Sequence, residues 1–217
     1  MSTLGIVVGM QSEAAVFATL PGNPFSLIAC AGASSTRAEQ AARQLVKAGA
    51  RSLLSFGVAG GLNPTLKIGD RIIATKVIFP DRRETSCGLD LNISDAHRLP
   101  IAGSDTAVIS PKDKALLFKE TNAAAVDMES HGVAQAAMAL GLPFGVIRVI
   151  SDTAQTTIPA FALLGIKPDG GLNPLPVALH LLRRLDQLPA LLRLNRDTNH
   201  ALKILAKTAS TLAMTLK

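Results

Sequence analysis

Short apolar runs at residues 4–8, 26–30, 52–56, 71–78, 105–109 and 144–150 alternate along this 217-residue chain with helical patterns at 11–19, 35–48, 111–121 and 129–140. Several of the runs are near-continuous in Val, Ile, Leu and Ala. That is the pattern of strands covered on both faces, not of strands with one wet face. The alternation predicts an α/β fold with a largely parallel or mixed central sheet flanked by helices. In such folds the working residues gather at the carboxyl ends of the strands. From Pro174 the character changes to helical runs at about 175–185 and 188–214, with Pro189 acceptable in a first turn. A hydrophobic content of 48% suffices for one sizeable core, so a single domain over residues 1–217 is expected, with a basic helical part from about 174.

The charge balance narrows the partners. A net charge of +6 would allow an anionic partner, but Trp and Tyr are absent and Phe numbers 7, too few for a base-stacking surface. Nucleic acid is therefore not expected. The tail holds Arg183, Arg184, Arg193, Arg196, Lys203, Lys207 and Lys217 against Asp186 and Asp197. Such a basic amphipathic segment reads either as a solvated face over a Leu stripe packed on the core, or as a peripheral contact with an anionic membrane. No apolar run reaches the ~18 residues of a membrane span. Leu4–Val8 lacks the basic start and cleavage site of a signal peptide, so a cytoplasmic protein is expected. Cys30 and Cys87 have neither the number nor the spacing of a disulfide framework and read as reduced thiols. His97, His131, His180 and His200 share no ligand spacing, so no metal is expected.

The acids carry the chemistry. AVDMES places Asp127, Met128 and Glu129 where a helical pattern begins, and RVISD ends an apolar run on Asp152. Two carboxylates from adjacent strand and helix edges, with an apolar Met beside one, suit a site that grips a sugar and protonates a leaving group. Glu13 follows the first run in VGMQSE. In SFGVAGGL, around Val58, Ala59 and Gly60, the glycines let backbone pass close to a flat ligand. AGASSTR could hold phosphate through backbone donors with Ser34, Ser35 and Arg37. Each feature also has a plain structural reading: Glu13 and Glu129 as first-turn helix acids, Asp152 and the serines as caps, the glycines as a tight turn.

Together VGMQSE, SFGVAGGLNPTLKIGD, AVDMES and RVISD resemble the purine nucleoside phosphorylase and methylthioadenosine/S-adenosylhomocysteine nucleosidase superfamily over residues 4 to about 155. Within it, DMESHGVAQAAMALGLPF and the basic ending look most like the hopanoid-associated phosphorylases. The resemblance implies a three-layer nucleoside phosphorylase-like fold. It also implies phosphorolysis of adenosylhopane, releasing adenine with inorganic phosphate as cosubstrate and no cofactor, in a homo-oligomer whose subunits complete one another's sites. By the same resemblance, Asp152 protonates purine N7 and Glu129 binds the ribose hydroxyls. Met128 packs on the sugar, and Val58, Ala59, Gly60 and Ser151 meet the substrate, with Phe144 or Phe161 against the base. Glu13 matches the acid with which nucleosidases activate water, so a hydrolytic nucleosidase is the alternative. A noncatalytic purine-nucleoside binding protein is the reading from another class. Val58 stands where bacterial nucleosidases place Ser in GSAGG, and the stretch between Ile78 and Asp105 is short, so the purine and 5′ contacts are expected to differ.

Overall fold

The computed structural model describes residues 3–215. Strands β1 (Leu4–Val8), β2 (Leu27–Cys30), β3 (Ser52–Gly61), β4 (Arg71–Ile78), β5 (Glu84–Ser86), β6 (Ala96–Gly103), β7 (Ala125–Asp127) and β8 (Phe144–Asp152) form one mixed sheet. Helices α1 (Gln11–Ala18), α2 (Ser35–Lys47), α3 (Pro111–Thr121), α4 (Ser130–Leu140), α5 (Pro174–Arg183) and α6 (Leu188–Thr215) surround it. The strand order is β2-β1-β3-β7-β6-β4-β5, and β8 pairs in parallel with β3 and antiparallel with β4. Strands β3, β7, β6, β4 and β8 therefore close on one another in a ring. This is the mixed, helix-flanked sheet that the alternation of runs predicts.

Strand parity divides the core. Val7, Leu53, Val146 and Ile150 face α2 and α4, packing on Ala38, Ala42, Val133 and Ala137. Their neighbours Ile6, Val8, Leu54, Ile147 and Val149 face the opposite layer, formed by Phe17 of α1 and Ala201, Leu205 and Leu212 of α6. The second half of α6 thus spends its apolar stripe on the core. Its Lys203 and Lys207 lie on the exposed side.

Three strands escaped the sequence reading, and one expected strand is a loop. Residues 105–109 form no strand; the chain there bends between β6 and α3. Strand β6 carries His97, Arg98 and Pro100, which hide it. Pro100 falls where the β4–β6 register shifts between Ala74 and Val77, a break in the ladder that tolerates a missing N–H. Strands β5 and β7 are three residues each, below the length at which a period can be read. Strand β3 runs on past Phe56 through its glycines to Gly61.

Helix α4 approaches α2 closely because Gly132 has no side chain. A Cβ there would sit 2.1 Å from the carbonyl oxygen of Ser35. Gly132→Ala should therefore force the helices apart and lower stability by about 1–3 kcal/mol, the usual cost of overpacking. Chemical denaturation measures it; an unchanged midpoint would contradict this account of the contact.

Candidate active site

The carboxyl ends of β1, β3, β7 and β8 meet at a cavity of about 150 Å³. Gly9 and Met10 enter from the turn after β1, and Glu13 from the first turn of α1. Val58, Ala59 and Gly60 come from β3, Asp127, Met128 and Glu129 from the β7–α4 junction, and Asp152 from the last position of β8. Thr106, Ala107, Val108, Val126 and Ile158 form the remaining wall. The chain thus brings together acids separated by up to 139 positions, Glu13 to Asp152.

One buried cation organises three of them. Arg148 of β8 is 1% exposed. Its Nε donates to Asp127 Oδ2 at 3.0 Å and its Nη2 to Ser55 Oγ at 2.7 Å, while Glu129 Oε2 lies 3.5 Å from Nη2. Asp127 also accepts from the backbone N–H groups of Glu129 (2.9 Å) and Ser130 (2.7 Å), so it caps α4 from the residues before it. Burial presses the Asp127 pKa upward, but the Arg148 charge and these donors hold it below the usual carboxylate range. Glu129 goes the other way: burial, then the neighbouring Asp127 charge, push it up to about 8 against the pull of Arg148. Two adjacent acids thus acquire opposite tendencies. Glu13 accepts from the backbone of Gly9 (2.8 Å), Met10 (2.9 Å) and Val58 (2.8 Å), yet burial still raises its pKa.

Asp152 has a cation of its own. Lys114, fully buried on α3, donates its ammonium to Asp152 Oδ1 and to the carbonyls of Thr153 (2.9 Å) and Thr156 (3.1 Å). Ser151 Oγ lies 3.0 Å from Asp152 Oδ2 and 3.2 Å from the Ala59 carbonyl. Burial raises the Asp152 pKa, and Lys114 opposes it.

The glycines make room for these acids. A Cβ on Gly9 would lie 2.6 Å from Glu129 Oε1, and one on Gly57 would lie 2.5 Å from Glu13 Oε1. Carboxylates pressed against bare backbone account for much of SFGVAGG.

Glu13, Val58, Ala59, Gly60, Met128, Glu129 and Asp152 all line the cavity, whereas Ser151 stands behind Asp152. Phe144 must be corrected. It begins β8, about 26 Å from Asp152 at the usual strand rise, and packs in the core. Phe161 stacks on His180 instead of lining the cavity. The AGASSTR donors are engaged elsewhere: Arg37 donates to the carbonyls of Ala31 (2.7 Å) and Gly32, and Ser34 caps α2. Ser35 Oγ donates to Asp105 Oδ1 at 2.6 Å. Arg82 pairs with Glu120, and Arg83 with Asp81 at 2.7 Å. Sequence reasoning missed Lys114. Its one signal was helical spacing, since Leu117 and Phe118 at i+3 and i+4 share its inward face. Among the described residues, no three His, Cys, Asp or Glu side chains converge on a metal position.

A mixed sheet flanked by helices holds buried acids at the carboxyl ends of its strands, an α/β arrangement whose side chains are suited to acid–base chemistry. The family model described as the Phosphorylase superfamily matches residues 3–93 and 89–163, and the chain belongs to that superfamily. It is 31% identical over 134 residues to an aminodeoxyfutalosine nucleosidase of Campylobacter jejuni, covering 50% of this chain and 58% of that protein. It is 28% identical over 136 residues to a 5′-methylthioadenosine/S-adenosylhomocysteine nucleosidase of Shewanella baltica, with the same shares. The chain thus spans somewhat over half the length of these relatives. Among solved structures, an S-adenosylhomocysteine nucleosidase from Streptococcus pyogenes in complex with 5-methylthiotubericidin superposes with a TM-score of 0.71 at 18% identity, over 100% of this chain and 98% of that one. The futalosine hydrolase of Helicobacter pylori gives 0.68 at 19% identity, over 99% and 98%. At those identities the likeness is one of fold.

Two predictions follow from the charges. Glu129 binds a proton more tightly folded than unfolded, so its contribution to stability is full below pH 4.5 and is lost as pH rises towards about 8. Melting temperatures across that window should fall more steeply for the wild type than for Glu129→Gln; parallel curves would contradict the raised pKa. Removing one partner of the Lys114–Asp152 pair strands a buried charge, so Lys114→Met should cost about 3–5 kcal/mol. Adding Asp152→Asn to that variant should restore part of the loss. A strictly additive double-mutant cycle would show that the pair is not coupled.

Proposed function

We propose that this chain hydrolyses the N-glycosidic bond of an adenine nucleoside bearing an apolar 5′ substituent. The observation that carries the reading is Glu13, an acid on the cavity wall whose two oxygens rest on three backbone N–H groups. The one acceptor site left, on Oε1, is available to a water molecule. Adenine leaves poorly as an anion, so the purine must be protonated as the bond breaks. Asp152 is the donor to N7, with its carboxyl oriented by Lys114 and Ser151. The C1′–N9 electron pair passes to the purine, water oxygen bonds to C1′, and Glu13 takes the water proton. In its ionised form Glu129 accepts the ribose hydroxyls and stabilises the cationic sugar more in the transition state than in the substrate, so the reaction should speed up as pH rises towards about 8. Met128 packs on the sugar.

Water is favoured over phosphate as nucleophile on electrostatic grounds. Four carboxylate side chains, those of Glu13, Asp127, Glu129 and Asp152, line the cavity. The two buried cations behind them, Arg148 and Lys114, are committed to those acids, and Arg37 is committed to carbonyls. A phosphate dianion would find no cation among the residues that line this cavity, and Asp127, held ionised, would face it. The nucleosidase names of the relatives point the same way. The one cation of AGASSTR, Arg37, lines the adjoining chamber and not this cavity, and two of its nitrogens donate to carbonyls.

The 5′ substituent has a place to go. A second chamber of about 380 Å³ shares Thr106, Ala107 and Met128 with the first, and continues between Ala33, Leu163, Ile166 and Pro168. Arg37, Asp105 and Lys167 also line it, so it offers an apolar path for an alkyl chain and charged groups for a polar one, which keeps both adenosylhopane and S-adenosylhomocysteine among the substrates to be tried.

Glu13→Gln and Asp152→Asn should each lower kcat by about 10²–10⁴-fold while nucleoside binding persists. Adenine release followed by absorbance, with calorimetry for binding, checks both. A wild-type protein that binds these nucleosides but releases no adenine would instead be a binding protein.

A further inference from the structure

Helix α5 has no buried residue. It rests on the 3-10 turn Ala160–Gly165, where the Phe161 ring stacks on His180 with centroids 4.4 Å apart. Its outer face presents Leu175, Leu179 and Leu182 at i, i+4 and i+7, exposed by 61%, 53% and 74%. Leu185, Leu188 and Leu192 continue the exposed series into α6. Of the twelve exposed large apolar side chains among the described residues, eight lie between positions 164 and 192. Scattered exposed leucines need no explanation, but this concentration marks a contact surface. The second half of α6 shows the contrast, since its apolar stripe is buried on the sheet.

The same segment is basic. Lys167, Arg183, Arg184, Arg193 and Arg196 outnumber Asp169, Asp186 and Asp197 between positions 164 and 197. Arg183 follows Leu182, and Arg193 follows Leu192. Neither arginine forms an ion pair among the described residues, whereas Arg184 and Arg196 are taken by Asp186 and Asp197. A second copy docked through this face would bring like charges together, while an anionic surface would meet unpaired arginines beside leucines. The surface also lies beyond residue 163, where the match to the superfamily ends. It adjoins the second chamber, because Leu163, Ile166, Lys167 and Pro168 line that chamber on the chain leading into α5.

We propose that α5 and the first turns of α6 dock on an anionic lipid bilayer. Leucines enter the headgroup boundary while Arg183 and Arg193 meet lipid phosphates, the mode of interfacial helices with an apolar face and basic flanks. The proposal rests on the hydrolase reading only for its purpose: docking would set the second chamber beside the membrane from which a nucleoside with a lipid-like 5′ substituent is drawn.

Flotation of the full chain with phosphatidylcholine vesicles, and with vesicles also containing phosphatidylglycerol, tests the docking itself. Binding to the anionic vesicles that weakens with salt is expected. It should fall by about tenfold or more in Leu175→Ser/Leu179→Ser/Leu182→Ser and in Arg183→Gln/Arg193→Gln. Both variants should keep the wild-type melting temperature and cleave methylthioadenosine at the wild-type rate. Absent binding, binding equal in wild type and variants, or a wild-type dimer that the leucine variant splits in light scattering would each overturn the proposal; the last would make this face a subunit interface. Failure of the wild type to cleave any nucleoside would bear on the proposed reaction and leave the flotation result standing.

Discussion

The site depends on one guanidinium. Arg148 sits on β8 with Asp127, Glu129 and Ser55 around it, and its charge also acts on Glu13. Without a cation there, three acids gathered in a space from which water is excluded would repel one another and be driven to the neutral form. With it, the protonation tendencies separate: Asp127 is held ionised and caps α4, and Glu129 rises to about 8. The fold serves this arrangement. β8 lies between β3 and β4 and carries Arg148 four residues before Asp152, so one strand delivers both the organising cation and an acid.

A second cation repeats the logic at the other end of the cavity. Lys114 reaches in from α3, a helix whose other side chains are largely exposed, and is the only member of that helix to be buried. Its three acceptors are Asp152 and two carbonyls of the segment that follows β8, so it ties the strand end to the loop beyond it. Burial alone would raise Asp152 without limit on its orientation; Lys114 and Ser151 give each carboxylate oxygen a fixed neighbour. The two cation-centred groups set Glu129 and Glu13 apart from Asp152, and the reaction proposed above would use the first pair for the sugar and the second for the base.

Strands β1, β4 and β8 were legible because they are rich in Val and Ile despite single charged positions such as Lys76 and Arg148, and they match their runs to within two residues. The acids were legible through motif, since Glu13, Glu129 and Asp152 follow or end such runs. What could not be read has a physical cause in each case. Strand β6 is hidden by polar residues and by Pro100 at a register shift, and β7 by its brevity. Lys114 looks like any helix lysine until α3 is seen against the loop after β8. The glycines of SFGVAGG read as ligand contacts, but at Gly57 the neighbour is the chain's own Glu13. Phe144 was assigned to the base by its place near a motif, although eight strand positions carry it to the far end of β8.

We propose that a cavity lined by acids and by no cation admits water and not phosphate as the nucleophile. The most direct test is the identity of the sugar product when methylthioadenosine is turned over in buffer rich in inorganic phosphate. Mass spectrometry should find the free 5′-substituted ribose together with adenine. The 1-phosphate ester as the main product would contradict the proposal and would direct attention to Arg37 and Lys167 on the adjoining chamber.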